Sequence, residues 1–147
     1  MCWCIREIIE SVPWRDRKAA QSIRENHIST AKYNQFSLVS SPSFALGETN
    51  VKVPIGRDAI LNCTVHNSGS HKVAWIDSLR GVVLTVEEDV VTGNPRVGIR
   101  HSVTPNGADS WVLSVKAVTM KDAGTYMCQV STKAGLRLLY NLSVVGE

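Results

Sequence analysis

Cysteine, histidine and asparagine are the residues of this 147-residue chain with chemistry to offer, and their spacing limits what that chemistry can be. Cys63 and Cys128 lie 65 positions apart and are candidates for one crosslink, which would require an oxidising compartment. His66 and His71 flank a single loop and could share a metal ion, but two ligands without a carboxylate or thiol nearby make a poor site. They read as solvated loop histidines. Serines, aspartates and His27, His66, His71 and His101 are raw material for a hydrolytic triad. No nucleophile sits in a strand–turn–helix elbow, however, and no Gly-rich phosphate loop is present. The expectation is a chain that is not an enzyme, with no metal and no other cofactor. Cys2 and Cys4 have no partners at metal-ligand spacing, so a redox or palmitoylation role gives way to incidental thiols. Asn62-Cys63-Thr64 and Asn141-Leu142-Ser143 are glycosylation sequons on an exported chain, the first weakened by its central cysteine.

The elements needed to position the two cysteines are written around them. Trp75 stands 12 residues after Cys63, and Tyr126 stands two before Cys128 with Asp122 and Gly124 just upstream. In an immunoglobulin-type sandwich each of these types has a mechanical task. The cysteines bridge two sheets packed about 10 Å apart, the indole lies on that bridge, and the tyrosine hydroxyl closes the corner before the second cysteine. A disulfide closing a loop of this length contributes about 4 kcal/mol in the chain-entropy model.

Such a domain needs about 100 residues, and 46–147 supplies them. Residues 1–45 are then an extension, too short for a second core of ordinary size. Ile5, Ile8, Ile9 and Val12 recur at helical spacing until Pro13, and Ser40-Ser41-Pro42-Ser43 looks like linker, so weak helices or little fixed structure are expected there. Arg6 and Glu7 interrupt the apolar start, and no run of about 20 apolar residues follows, so neither an export signal nor an anchor is legible. The chain therefore reads as a piece, an alternative product or a poorly defined gene model of a longer exported protein. A net charge of +3, without a basic stripe or polybasic patch, points to no nucleic acid and no direct membrane contact.

Beyond Leu46 the apolar residues alternate with period two, as strands require. Ala59, Leu61, Cys63 and Val65 face in, leaving Ile60, Asn62 and Thr64 out. Val73 and Trp75 face in and Ala74 and Ile76 out, while Tyr126, Cys128 and Val130 face in and Met127 and Gln129 out. Segments 82–86 and 89–92 supply two further strands, which predicts an all-β, variable-type sandwich of about nine strands. In that type an arginine at the position of Arg96 pairs with the aspartate before the tyrosine corner, here Asp122, as a structural bridge. The outward set Ala74, Ile76, Met127 and Gln129, with either Val83 and Thr85 or Leu84 and Val86, forms an apolar patch on one sheet. Such a patch marks a partner site.

The stretches Val53-Pro54-Ile55-Gly56-Arg57-Asp58-Ala59, Lys72-Val73-Ala74-Trp75-Ile76, Val90-Val91-Thr92-Gly93-Asn94-Pro95-Arg96 and Tyr126-Met127-Cys128-Gln129-Val130 resemble the first immunoglobulin domain of the insect DIP proteins. The related Dpr proteins and the vertebrate IgLON family are similar but less close. The resemblance covers roughly 46–145 and implies cell-surface display and neuronal recognition. It also implies pairing with another immunoglobulin domain, alike or related, through the same face, with no small-molecule substrate. Two other readings are a soluble secreted binder or decoy, and an intracellular domain of muscle-filament type. The paired cysteines and the extra strands argue against the latter. Family members carry a signal peptide, further immunoglobulin domains and a membrane anchor, none of which is legible here, and the loop 104–109 looks a few residues longer than usual.

Overall fold

The computed structural model describes residues 40–146. The readings of Cys2, Cys4, His27 and the helical spacing after Ile5 fall outside the described residues. Ten strands form two sheets: β1 (Ser43–Phe44), β2 (Asn50–Pro54), β3 (Ala59–His66), β4 (Val73–Asp77), β5 (Val82–Val86), β6 (Asp89–Val90), β7 (Val97–Val103), β8 (Asp109–Val115), β9 (Gly124–Val130) and β10 (Arg137–Val145). One sheet has the order β1-β3-β8-β7 and the other β2-β10-β9-β4-β5-β6. Strand β2 runs parallel to β10, and every other ladder is antiparallel. Pro54 ends β2 at the sheet margin, where a missing backbone donor is harmless. Strand β1 is one more than the expected nine. It falls inside the expected N-terminal extension, yet it pairs with β3 and lays Phe44 against the core.

Alternation builds the core. Along β3 the buried residues are Ala59, Leu61, Cys63 and Val65, while Ile60 and Asn62 are exposed. They meet Trp111, Leu113 and Val115 of β8, and Val73, Trp75, Tyr126, Cys128 and Val130 from the other sheet, in one cluster. Cys63 and Cys128 are bonded, with Sγ atoms 2.11 Å apart. Trp75 lies within the same cluster and packs on Tyr140, with ring centroids 4.9 Å apart. The Tyr140 hydroxyl donates to the Asn62 carbonyl at 2.8 Å, a second tie between the sheets.

The base of the sandwich is closed by one polar node. Arg96 donates from Nη1 and Nη2 to the two carboxylate oxygens of Asp122, each at 2.8 Å. Asp122 also accepts from the Thr119 backbone N–H at 2.8 Å, completing the capping box of the 3₁₀ turn Met120–Asp122. Its backbone carbonyl accepts from the Tyr126 hydroxyl at 2.6 Å. Burial, helped by Asp77 and Asp122, pushes the Tyr126 phenol up to about 12. The Arg96 guanidinium, working against burial, draws the Asp122 carboxyl below its ordinary value. Among the described residues no helix is long and apolar enough to cross a membrane.

Candidate functional site

The candidate site is the outer face of the six-stranded sheet, and its central strands are β4 and β9. Register places Ala74 opposite Gln129 and Ile76 opposite Met127. On the flanks Met127 faces Leu139 and Gln129 faces Arg137 of β10, while Ala74 faces Val86 and Ile76 faces Val83 of β5. Because Trp75 and Cys128 point into the core, their neighbours must point away from it. Ala74, Ile76 and Met127 accordingly form an apolar cluster separate from the inter-sheet core, with Val83 and Val86 packed at its edge.

The sequence left open which β5 residues join this face, and neither alternative is what the fold adopts. A register shift between Trp75 and Ile76 puts one extra residue into β5. Strict alternation fails across such a bulge, so Val83 and Val86 both join the outer cluster while Leu84 belongs to the core. Thr85, expected outward beside Val83, lies opposite Trp75 and is fully buried, and its hydroxyl has no hydrogen-bond partner.

Exposure differs from expectation as well. Ala74, Ile76, Met127 and Gln129 were expected to meet solvent, yet each keeps 1 % of its accessible surface. Every residue of β4 is buried, so both faces of this strand are shielded alike. Gln129 is the polar exception in the apolar centre, and neither atom of its amide finds a partner. An unpaired buried amide is an unfavourable arrangement, by about 1–3 kcal/mol. Gly135, in the loop between β9 and β10, has φ +66°, and a side chain there would come 3.3 Å from the Gln129 amide nitrogen. Around this centre lies a more accessible margin: Leu139, which is 50 % exposed, Arg137, and the half-buried Val83 and Val86. Leu139 and Arg137 escaped the sequence reading, although the alternation of β10 against β9 could have found them.

The remaining candidates sit elsewhere. Arg96 and Asp122 form the node at the base, away from this face. Asn62 is exposed on β3, in the other sheet, with its side-chain amide oxygen Oδ1 accepting from the Ser110 hydroxyl at 2.8 Å. Asn141 is exposed on β10, on the same face as Leu139 two residues earlier, and its amide donates to Asn50 at 3.1 Å. The His71 ring lies 3.0 Å from the Ser131 carbonyl. Among the described residues no group of three or more His, Cys, Asp or Glu side chains is placed to hold a metal ion.

Comparison with known proteins identifies relatives of the chain. The nematode protein zig-8 of Caenorhabditis elegans, described as a "Zwei Ig domain protein", is 31% identical over 97 residues, 66% of this chain and 33% of the relative. The chain thus spans about a third of that relative's length. A solved structure of the Dpr1 first domain bound to the DIP-eta first domain superposes with a TM-score of 0.65 at 33% identity, covering 74% of this chain and 99% of that one. The ZIG-8 first-domain homodimer superposes with a TM-score of 0.59 at 27% identity, covering 68% and 81%. These structural neighbours are complexes of one immunoglobulin domain with another, and they match the DIP, Dpr and IgLON group that the sequence motifs resemble. With the immunoglobulin domain family model matching residues 49–139 and the disulfide, indole and tyrosine corner in place, the chain belongs to the immunoglobulin domain family.

Proposed function

We propose that this domain is an extracellular recognition module. It pairs with a copy of itself or with a related immunoglobulin domain through the outer face of the six-stranded sheet, and it serves adhesion and neuronal wiring. The observation that carries the reading is the second apolar cluster. Ala74, Ile76 and Met127 lie on adjacent central strands, outside the core that the fold itself requires. The apolar surface still accessible there lies on the rim of this cluster, at Leu139 and the half-buried Val83 and Val86, and apolar surface grouped on one face is the usual mark of a partner site. Met127 beneath it can repack against different surfaces. The partner meets the accessible margin, at Leu139, Arg137, Val83 and Val86. A docking segment can also supply the hydrogen bonds that the Gln129 amide lacks. The bonded cysteines favour an oxidising, extracellular setting, and the immunoglobulin pairs among the structural neighbours support this mode of association. Asn62 and Asn141 are proposed glycosylation sites in that setting.

The test is a charge on the margin. Leu139→Asp would desolvate a carboxylate in the paired state, with Arg137 on the same face of β10 offsetting only part of the loss, at a cost of about 3 kcal/mol, or about a hundredfold in affinity. Ile60, 51 % exposed on the opposite sheet, provides the control as Ile60→Asp. Sedimentation or surface-binding measurements on the folded full chain should show pairing weakened by the first change and untouched by the second. The opposite pattern would move the recognition site to the four-stranded sheet.

A further inference from the structure

The two sheets also meet at an open edge, where β6 ends one sheet and β7 ends the other. His101 of β7 occupies this edge with its ring stacked on Trp111, centroids 4.0 Å apart and planes at 17°. Its Nε2 lies 2.8 Å from an Asp109 carboxylate oxygen on β8, and its Nδ1 lies 3.1 Å from a Glu88 carboxylate oxygen. Glu88 belongs to the other sheet, in the two-residue turn between β5 and β6. Its neighbour Glu87 has φ +52° and is tied back to β4. The Glu87 backbone N–H donates to the Val73 carbonyl at 2.8 Å, and its carboxylate lies 3.9 Å from the Lys72 ammonium. That anchoring leaves Glu88 free to reach across the edge.

The protonation state follows from counting donors. Ionised carboxylates only accept hydrogen bonds, and a neutral imidazole has one N–H and one lone pair. A neutral His101 would therefore set a nitrogen lone pair against carboxylate oxygen on one side. Only the imidazolium satisfies both contacts. We propose that His101 is a proton-operated clamp between the sheets, which when charged ties the β5–β6 turn to β8 and when neutral keeps Asp109 and releases Glu88.

The order of release follows from the surroundings. Asp109 is partly buried and also accepts from the Ser68 hydroxyl, whereas the Glu88 side chain is 70 % exposed and exchanges its bond for water readily. Partial burial disfavours charge on the ring, but the hydrogen bonds to Asp109 and Glu88 outweigh it and hold the His101 pKa above its usual 6.5. Asp109 moves the opposite way, lowered chiefly by the Ser68 hydroxyl and also by His101 against the effect of burial. Glu87 from the turn, Asp89 from β6 and His71 from the β3–β4 loop border the same cleft. Glu87 is partly offset by Lys72, Asp89 adds negative potential, and the His71 ring is turned to the Ser131 carbonyl. A folded pKa raised above the unfolded value gives stability that is complete below pH 6.5 and is lost as pH rises through the folded pKa. The edge is thus tighter in mild acid and looser at neutral to alkaline pH. Because β6 flanks β5, the looseness reaches the sheet that carries the apolar face.

NMR on the full chain tests this, with His101 assigned through bonds. The expected midpoint lies above 6.5, and Glu88→Gln, an exposed change that spares the fold, lowers it. Amide exchange at Asp89 and at Val91, whose N–H donates to the Leu84 carbonyl at 2.9 Å, corrected for intrinsic rates, should step up as pH passes the wild-type midpoint, and Glu88→Gln should abolish the step. A His101 midpoint at or below 6.5, or an exchange step that survives in Glu88→Gln, overturns the clamp.

Discussion

Replacing Asp122 by Asn preserves shape while removing one charge, and the surrounding contacts set the expected loss. One carboxylate oxygen accepts from Arg96 Nη1 and from the Thr119 backbone N–H, each at 2.8 Å; the other accepts from Arg96 Nη2 at 2.8 Å. Asn can place its carbonyl where the first oxygen stands and keep those two bonds. Its NH2 group then faces Arg96 Nη2, so a charge-assisted bond worth about 1.5–3 kcal/mol becomes a donor–donor contact. Breaking a fully buried ion pair costs about 3–5 kcal/mol. Asp122 is buried but the Arg96 side chain is a third exposed, so solvent screening favours the lower end. A loss of about 3 kcal/mol is expected, or roughly 10–20 °C in Tm for a domain of this size. The measurement is denaturant unfolding of wild type and Asp122→Asn across pH. Since the Asp122 pKa is lowered by folding, its contribution is present above the unfolded carboxylate value near 3.8 and disappears as pH falls through the folded one. The two proteins should therefore differ most near neutrality and converge in strong acid. A difference under about 0.5 kcal/mol at neutral pH, the range of an ordinary surface change, would refute the assignment of this node as the closure of the sandwich base.

Two further outcomes follow from the packing. Cys63→Ala should lower stability by about 2–5 kcal/mol, seen in denaturant unfolding, and should free the Cys128 thiol to alkylating reagent on unfolding; unchanged stability would mean the bridge is dispensable. Ile76→Asp places a carboxylate where the wild-type side chain is buried, so it should destabilise the fold itself by several kcal/mol, on the order of the cost of a buried unpaired charge. It is therefore a stability probe measured by thermal unfolding, and a wild-type Tm would show that the side chain reaches water.

Much of this molecule could be read from one dimension. The period-two alternation through β3, β4 and β9 fixed which side of each strand meets the core, because successive residues of a strand point to opposite faces. The spacing of Cys63, Trp75, Tyr126 and Cys128 was enough to name the architecture, since each side chain answers to a fixed place between two sheets. Arg96 and Asp122 were legible for the same reason. Three features waited for the tertiary structure. The bulge opposite Trp75 and Ile76 put Val83 and Val86 on the outer face, and a bulge leaves no mark in a run of five apolar or β-branched residues such as Val82–Val86. The outward direction of Ala74, Ile76, Met127 and Gln129 was set by alternation, but alternation gives direction and not cover, so their burial could not follow from it. His101 looked like one histidine among four until strand pairing laid it on Trp111 and the β5–β6 turn brought Glu88 to its second nitrogen. Direction is a property of the local backbone. Cover and charge pairing depend on residues distant in sequence, and only the folded chain brings those together.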